Sequence, residues 1–294
     1  MLLLTYGVWG LATTVIWQWS GVAAVILTGL AIAQHSSLQH EVLHGHPFRN
    51  RHLNHALVFV PLGLVYPYIR FHDTHLAHHH DPVLTDPYDD PESNYQDPEV
   101  WARMGPLWRA LLRANNTLLG RMVLGPIIGA VVFLAGDLRA LPRDGRIALA
   151  YALHVAGLAL LLCWWWIGPG QMSLGGYLLA AWLGGAILKI RTYLEHRAHE
   201  AARARTVIVE DRGPLALLFL NNNLHVVHHM HPQVPWYDLP GVYRSNRDHY
   251  LRRNDGYLYR SYLEVFRAYF LKAKDPVPHP VWPVRKVEDQ AARD

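Results

Sequence analysis

Two stretches without a single Asp, Glu, Lys or Arg set the terms for this chain of 294 residues. Residues 1–40 form one, and Glu41 is the first charge after Met1. Residues 147–188 form the other. Each is about twice the ~20 apolar residues that one membrane helix needs. Each is interrupted near its middle, by Gln18-Trp19-Ser20-Gly21 and by Gly168-Pro169-Gly170-Gln171. The expected fold is therefore all-α and integral to a membrane, with four transmembrane helices in two hairpins. The spans are expected at about 2–18, 22–40, 147–167 and 173–193. Trp17, Trp19 and Trp164 to Trp166 sit at the turns, where interfacial aromatics belong. A cleaved signal peptide would need a basic leading region, and here a second apolar run follows at once.

Two further apolar runs, 53–69 and 122–136, do not read as spans. The first carries Pro61 and Pro67. The second has Arg113 and Arg121 before it and Arg139, Arg143 and Arg146 after it. By the positive-inside rule both of its flanks are cytoplasmic, so both runs are expected to be re-entrant or interfacial pieces. The chain then reads as one domain over 1–294. Its cytoplasmic helical cap comprises 41–146 and 194–275, and a Pro-rich extended tail covers 276–294. Asp97-Pro98-Glu99 signals a helix start. The helix after it sets Trp101, Leu107 and Trp108 against Arg103, Arg109 and Arg113, as an interfacial helix does.

The chemistry lies in the 20 histidines rather than in the single cysteine, Cys163, which rules out disulfides and thiolate metal sites. Three boxes recur at helical spacing: His40-x-x-x-His44, His75-x-x-His78-His79 and His225-x-x-His228-His229. Positions i, i+3 and i+4 share a helix face. An all-imidazole shell suits Fe, Cu, Zn or Ni better than Mg or Ca. Eight such histidines exceed what one tetrahedral zinc requires and match two metal ions. All three boxes fall at the cytoplasmic ends of the expected spans. His196, just past the last span, is at the same level.

The order and spacing of the boxes, with the hairpin layout, resemble the membrane fatty acid desaturase/hydroxylase superfamily over roughly residues 20–240, in its bacterial-type form. The resemblance implies a non-haem di-iron centre, with two Fe as cofactor and O₂ as co-substrate. It implies desaturation or hydroxylation of an unactivated C–H bond, with a lipid or fatty acyl chain as the expected substrate. Carried onto this sequence, the ligands are His40, His44, His75, His78, His79, His196, His225, His228 and His229. His46, His72 and His80 are spare. His35, His52, His55, His154 and His199 read as packing or interface residues.

Carboxylates that orient imidazole N–H groups are expected near the boxes, and Glu41, Asp73, Glu195 and Asp238 are the candidates. Asp86, Asp89, Asp90 and Glu92 read as loop structure. No haem or iron–sulfur motif follows the boxes, so a separate electron donor is expected, a ferredoxin or Rieske-type protein with its reductase. The arginines near 103–146 and 244–260 fit an acidic donor, the positive-inside bias or lipid headgroups equally. Membrane lipid is the other expected partner, and nucleic acid is not one. The expected location is a bacterial inner membrane, with the boxes and both termini cytoplasmic.

Other readings stay open at this point. The same chemistry could act on a carotenoid or on a small metabolite of the rhizopine or rhizobitoxine kind. His40-Glu41-x-x-His44 matches a zinc-hydrolase pattern, to which the other two boxes are superfluous. A metal transporter would need ligands at mid-membrane, where the charge-free stretches offer only His35 and His154.

Overall fold

The computed structural model describes residues 1–79 and 81–282. Helix α1 (Leu2–Leu11) runs through a π-helical segment at Ala12–Ile16 into α2 (Trp17–Trp19). The π segment has a visible cause. The Thr13 carbonyl accepts from the amides of Gln171 and Met172, at 2.9 and 3.0 Å. Thr13 and Thr14 turn their hydroxyls back onto the Trp9 and Gly10 carbonyls. Both acts withdraw groups from the regular ladder. Helix α3 (Gly21–Leu43) starts where Ser20 Oγ accepts from the Ala23 amide.

Helix α4 (Arg51–Leu57) is capped by Asn50. A non-helical stretch then dips into the bundle before α5 (Tyr68–His78). Its backbone is satisfied by side chains from the surrounding helices. Gln39 Nε2 donates to the Val58 carbonyl, Tyr6 and Tyr177 hydroxyls donate to those of Leu57 and Leu62, and His154 Nε2 lies 2.8 Å from Leu64 O. Irregular backbone at this depth is stable only when satisfied in this way.

The basic helix expected after Asp97 is two helices. Asp97 does cap α6 (Pro98–Arg103), accepting from the Glu99 amide at 2.7 Å. Pro106 then forces Gly105 into extended backbone, and α7 (Pro106–Asn115) starts anew. Leu107 and Trp108 of α7 are exposed.

Residues 122–136, expected as a re-entrant or interfacial piece, lie inside one continuous 23-residue helix, α8 (Leu118–Ala140). Pro126 leaves one carbonyl of the preceding turn without its amide partner, and Trp182 Nε1 donates to the nearby Val123 carbonyl. Both ends of α8 contact the histidine-bearing end of the bundle. Leu118 packs with Ile190, Tyr193 and Leu194. Asp137 accepts from Arg70 and from the Tyr151 hydroxyl.

Helix α9 (Gly145–Trp166) is capped by Asp144 and α10 (Leu174–Thr192) by Ser173. Helices α3 and α10 cross closely at Gly29 and Gly184. A Cβ on Gly184 would lie 2.7 Å from Ile32 Cγ2 and 2.9 Å from the Gly29 carbonyl oxygen. Small residues let helix backbones approach in this way.

Among the described residues, three helices are long and apolar enough to cross a membrane: α3, α8 and α9. The four spans expected from the sequence differ from this set in three places: α8 belongs to it without having been expected to span, and two expected spans are missing from it. The N-terminal stretch is interrupted by the π segment, and α10 is 19 residues long with Lys189 and Arg191 in its last turn.

The rest of the chain packs over the histidine end. It comprises α11 (Pro214–Leu218), α12 (His225–Met230), α13 (Leu239–Ser245), α14 (Arg247–Arg253) and α15 (Tyr262–Tyr269). Strands β1 (Ile208–Val209) and β2 (Leu258–Tyr259) pair in parallel between them. Two apolar clusters hold this part together, one around Phe219, Tyr262 and Val265 and one around Ile208, Val227 and Leu239. The expected extended tail is described only as far as Trp282, and Pro283 to Asp294 lie outside the described residues.

Candidate metal centre

Three helices and the segment after α10 bring nine imidazoles to one end of the bundle. His40 and His44 stand one turn apart at the end of α3, with ring centroids 5.0 Å apart. His75 and His78 lie in the last turns of α5, and His79 caps it. His225, His228 and His229 belong to the short helix α12. His196 follows α10 and is bridged to Thr206.

Their nitrogens fall into two groups. His40, His44, His75, His79 and His228 form one; His78, His196, His225 and His229 form the other. In each group one nitrogen per residue lies within 4.8 Å of all the others. The His-x-x-His-His spacing explains the division. On the face they share, i+4 lies about 40° to one side of i and i+3 about 60° to the other, so i and i+4 can serve one group and i+3 the next. In box two, His75 and His79 serve the first group and His78 the second. In box three, His225 and His229 serve the second and His228 the first. Box one belongs wholly to the first group, and His196 completes the second. The stacked rings of His79 and His229, 4.3 Å apart, join the two.

The fit to metal can be read from the donors. His75 and His79 Nε2 are 2.9 Å apart, and His79 and His228 Nε2 are 3.2 Å apart. In the second group His196 Nε2 lies 2.8 Å from His78 Nε2 and 3.1 Å from His225 Nε2. Neutral imidazoles converging lone pair to lone pair repel unless a proton or a cation sits among them. His40 Nε2 and His44 Nε2 are buried with no hydrogen-bond partner among the described residues. Buried polar atoms are rarely left so without a function. Burial pushes His196, His225, His228 and His229 well below the ordinary imidazole range. They are therefore neutral, the form that binds metal.

Three outer partners fix ring orientation. His75 Nδ1 lies 2.8 Å from Glu92 Oε1, His78 Nδ1 2.7 Å from Asp90 Oδ1, and His225 Nδ1 3.1 Å from Asn222 Oδ1. With each Nδ1 engaged, each Nε2 faces inward. Burial pulls the His78 pKa down, but Glu92 and Asp90 outweigh it and raise it to about 9. Burial likewise raises Glu92, and the facing His78 and His75 overturn that, holding it well below the usual carboxylate range.

These partners differ from those expected. Asp90 and Glu92 read as loop structure in the sequence, as did Asp86 and Asp89. Asp86 does serve the loop, accepting from the Tyr88 and Asp89 amides. Asp90 and Glu92 instead fold back onto α5, because the turns after His79 return the chain to the helix that carries the box. Of the expected carboxylates, Glu195 comes nearest, 3.7 Å from His225 Nδ1, while pairing with Arg191 at 2.8 Å. Glu41 Oε2 accepts from the Trp236 amide at 3.1 Å, tying box one to the segment after box three. Asp73 pairs with Arg146 and His72. Asp238 precedes α13, and its side chain makes no cap bond there.

The remaining histidines stay outside both groups. His35 meets the Tyr6 hydroxyl at 3.1 Å, His154 meets Leu64 O, and His199 meets Ala201 O and Asp255. His55 packs against Tyr68 and His72, His46 belongs to neither group, and His52 is exposed. His80 lies outside the described residues.

A model of the fatty acid desaturase family matches residues 17–261, which includes all nine histidines. No curated protein matches the chain. A match over most of the chain, ending on the histidine geometry just described, places this protein in the fatty acid desaturase family.

Proposed function

We propose that this protein is a membrane-bound, O₂-dependent di-iron oxidoreductase that desaturates or hydroxylates an unactivated C–H bond of a lipid or fatty acyl chain. One observation carries the reading: nine imidazoles, five of them buried and four half-buried, divide into two adjacent groups, each large enough for one metal ion. A hydrolytic zinc site on His40 and His44 leaves the second group without a purpose.

Bound iron would supply the oxidant that no side chain provides. The first group, His40, His44, His75, His79 and His228, would hold one ion; His78, His196, His225 and His229 would hold the other. Glu92, Asp90 and Asn222 orient the rings whose Nδ1 atoms they engage. Helix α3, which carries His40 and ends at His44, packs along its apolar length against α10, after which His196 follows. For desaturation the balance is one O₂, two external electrons and two protons, plus two hydrogens from the substrate, giving two waters and a double bond. For hydroxylation one oxygen enters the substrate and the other leaves as water.

The same reading places four helical segments in a bacterial inner membrane, with the histidine end and both termini on the cytoplasmic side. Arg146 at the start of α9 and Lys189 and Arg191 in the last turn of α10 lie at the histidine ends of their helices, with Arg139 in the last turn of α8 and Arg143 in the turn after it, as the positive-inside rule requires. Electrons come from a separate ferredoxin or Rieske-type donor.

The test is O₂ uptake by iron-supplemented protein in detergent, driven by a generic ferredoxin and its reductase. Membrane lipid extract should stimulate uptake and yield acyl products that have lost two hydrogens or gained one oxygen. Uptake indifferent to lipid but stimulated by carotenoids or small polar metabolites would overturn the substrate class.

A further inference from the structure

We infer that the segment Phe270–His279, which lies beyond the family match, is a clamp that positions the four-histidine metal group. The inference rests on the proposed two-metal reading. The segment follows α15 and runs back across the histidine end. The Phe270 carbonyl accepts from Leu119 N at 3.0 Å, Ala273 bridges Thr117, and the Asp275 carbonyl accepts from Asn116 Nδ2 at 2.6 Å. Further on, the Gln96 amide donates to the Val277 carbonyl and the His279 amide to the Gln96 carbonyl. The segment is thus stitched to α8 at one end and to the loop after box two at the other.

Two chains of contact lead from it into the second group and meet there. Lys274 Nζ donates to the His196 carbonyl at 2.5 Å and to the Tyr257 hydroxyl at 3.0 Å. It is nearly buried and also pairs with Asp275 at 3.1 Å. His196 follows the end of α10, so no helix fixes it. Its backbone is held by the bridge to Thr206, and the Lys274 ammonium adds a bond to its carbonyl from the other side. At the other end, His279 Nε2 lies 3.1 Å from Thr85 Oγ1, and both residues are buried. The Thr85 amide donates to Asp90 Oδ2 at 2.8 Å, and Asp90 Oδ1 meets His78 Nδ1. Thr85 sits at φ 70°, which a β-branched residue adopts only when its surroundings hold it there. His78 and His196, the two residues reached, have their Nε2 atoms 2.8 Å apart. Tyr95 ties the chains together. Its hydroxyl donates to Asp275 Oδ2 at 2.5 Å and accepts from the Ala198 amide at 2.9 Å.

The segment reaches the first group only indirectly, through the loop that also carries Glu92. Loosening it should therefore weaken one metal before the other. Lys274 and His279 are positioning residues; neither belongs to the two histidine groups.

The test is a Co²⁺ titration of metal-free protein, followed by the visible absorption of the bound ion against a competing chelator. Wild type should show two binding phases. Lys274→Met and His279→Leu should each weaken one phase roughly 10–100-fold, as loss of an outer partner does, and leave the other in place. Lys274→Arg should restore most of the loss. Thermal melts and size exclusion serve as controls for folding, and His279→Leu reads the second contact chain independently if Lys274→Met does not fold. Two normal phases in both folded variants, or equal weakening of both phases, would overturn the clamp and leave the metal reading standing. A wild type without two phases would overturn the two-metal reading and the clamp with it.

Discussion

At the scale of single residues, protonation decides whether the site exists. Burial holds His196, His225, His228 and His229 neutral. Their unfolded counterparts titrate near pH 6.5. The native state then binds fewer protons than the unfolded state below that value. The stability these four contribute is present above about pH 6.5 and lost as pH falls through it. His78 runs the other way. Its pKa is raised to about 9, so its contribution is complete below about 6.5 and lost as pH rises through about 9. The depressed set outnumbers it. Thermal melts of metal-free protein should therefore shift downward between pH 7 and pH 5. A flat or rising profile would contradict the assignment. Glu92→Gln keeps the shape but removes the charge facing His75 and His78, and should weaken metal binding roughly 10–100-fold. His52→Ala, at an exposed ring outside both groups, should leave metal content unchanged.

The nine histidines were legible because helical spacing is a local property. Their partition into five and four was also latent in the i+3 and i+4 offsets. Asp90 and Glu92 were not legible. Only the path of the loop after His79 places them, and that path depends on contacts with residues nearly two hundred positions away, such as Thr85 with His279.

At the scale of elements, glycines set how closely helices approach. Gly184→Leu would drive a side chain into Ile32 and the Gly29 carbonyl. Overpacking of this kind costs about 1–3 kcal/mol. The variant should melt at lower temperature in detergent, whereas Gly241→Ala, where an added Cβ meets nothing within 4 Å, should not. The elements themselves were read from the sequence with one physical error. Gly105-Pro106 breaks the basic helix, which the amphipathic pattern alone does not reveal. Residues 122–136 run through one continuous helix despite Pro126, with Trp182 bonded to the Val123 carbonyl one residue from the carbonyl that the proline leaves free. The dip of residues 58–67 into the bundle shows why Pro-rich apolar runs resist simple assignment. Its backbone depends on Gln39, Tyr177 and His154, all distant in sequence.

At the scale of the whole molecule, helix ends define two poles. Arg146 at the start of α9 pairs with Asp73 beside box two, while the turn after α9 leans on Thr13 in the first helix pair. In a Cys163→Ser background, cysteine introduced at Arg143 should label from the cytoplasmic side of sealed vesicles, and at Gln171 from the opposite side. Labelling of both from one side would contradict the proposed arrangement in the bilayer.

The proposed di-iron centre requires iron in both histidine groups. It is tested most directly by metal analysis of purified wild type beside His44→Ala and His78→Ala, one residue from each group. Wild type should carry about two irons per chain, as two nitrogen-rich sites would hold, with content falling in both variants. About one zinc per chain, retained when His78 is lost, would contradict it and return the site to the His40–His44 pair alone.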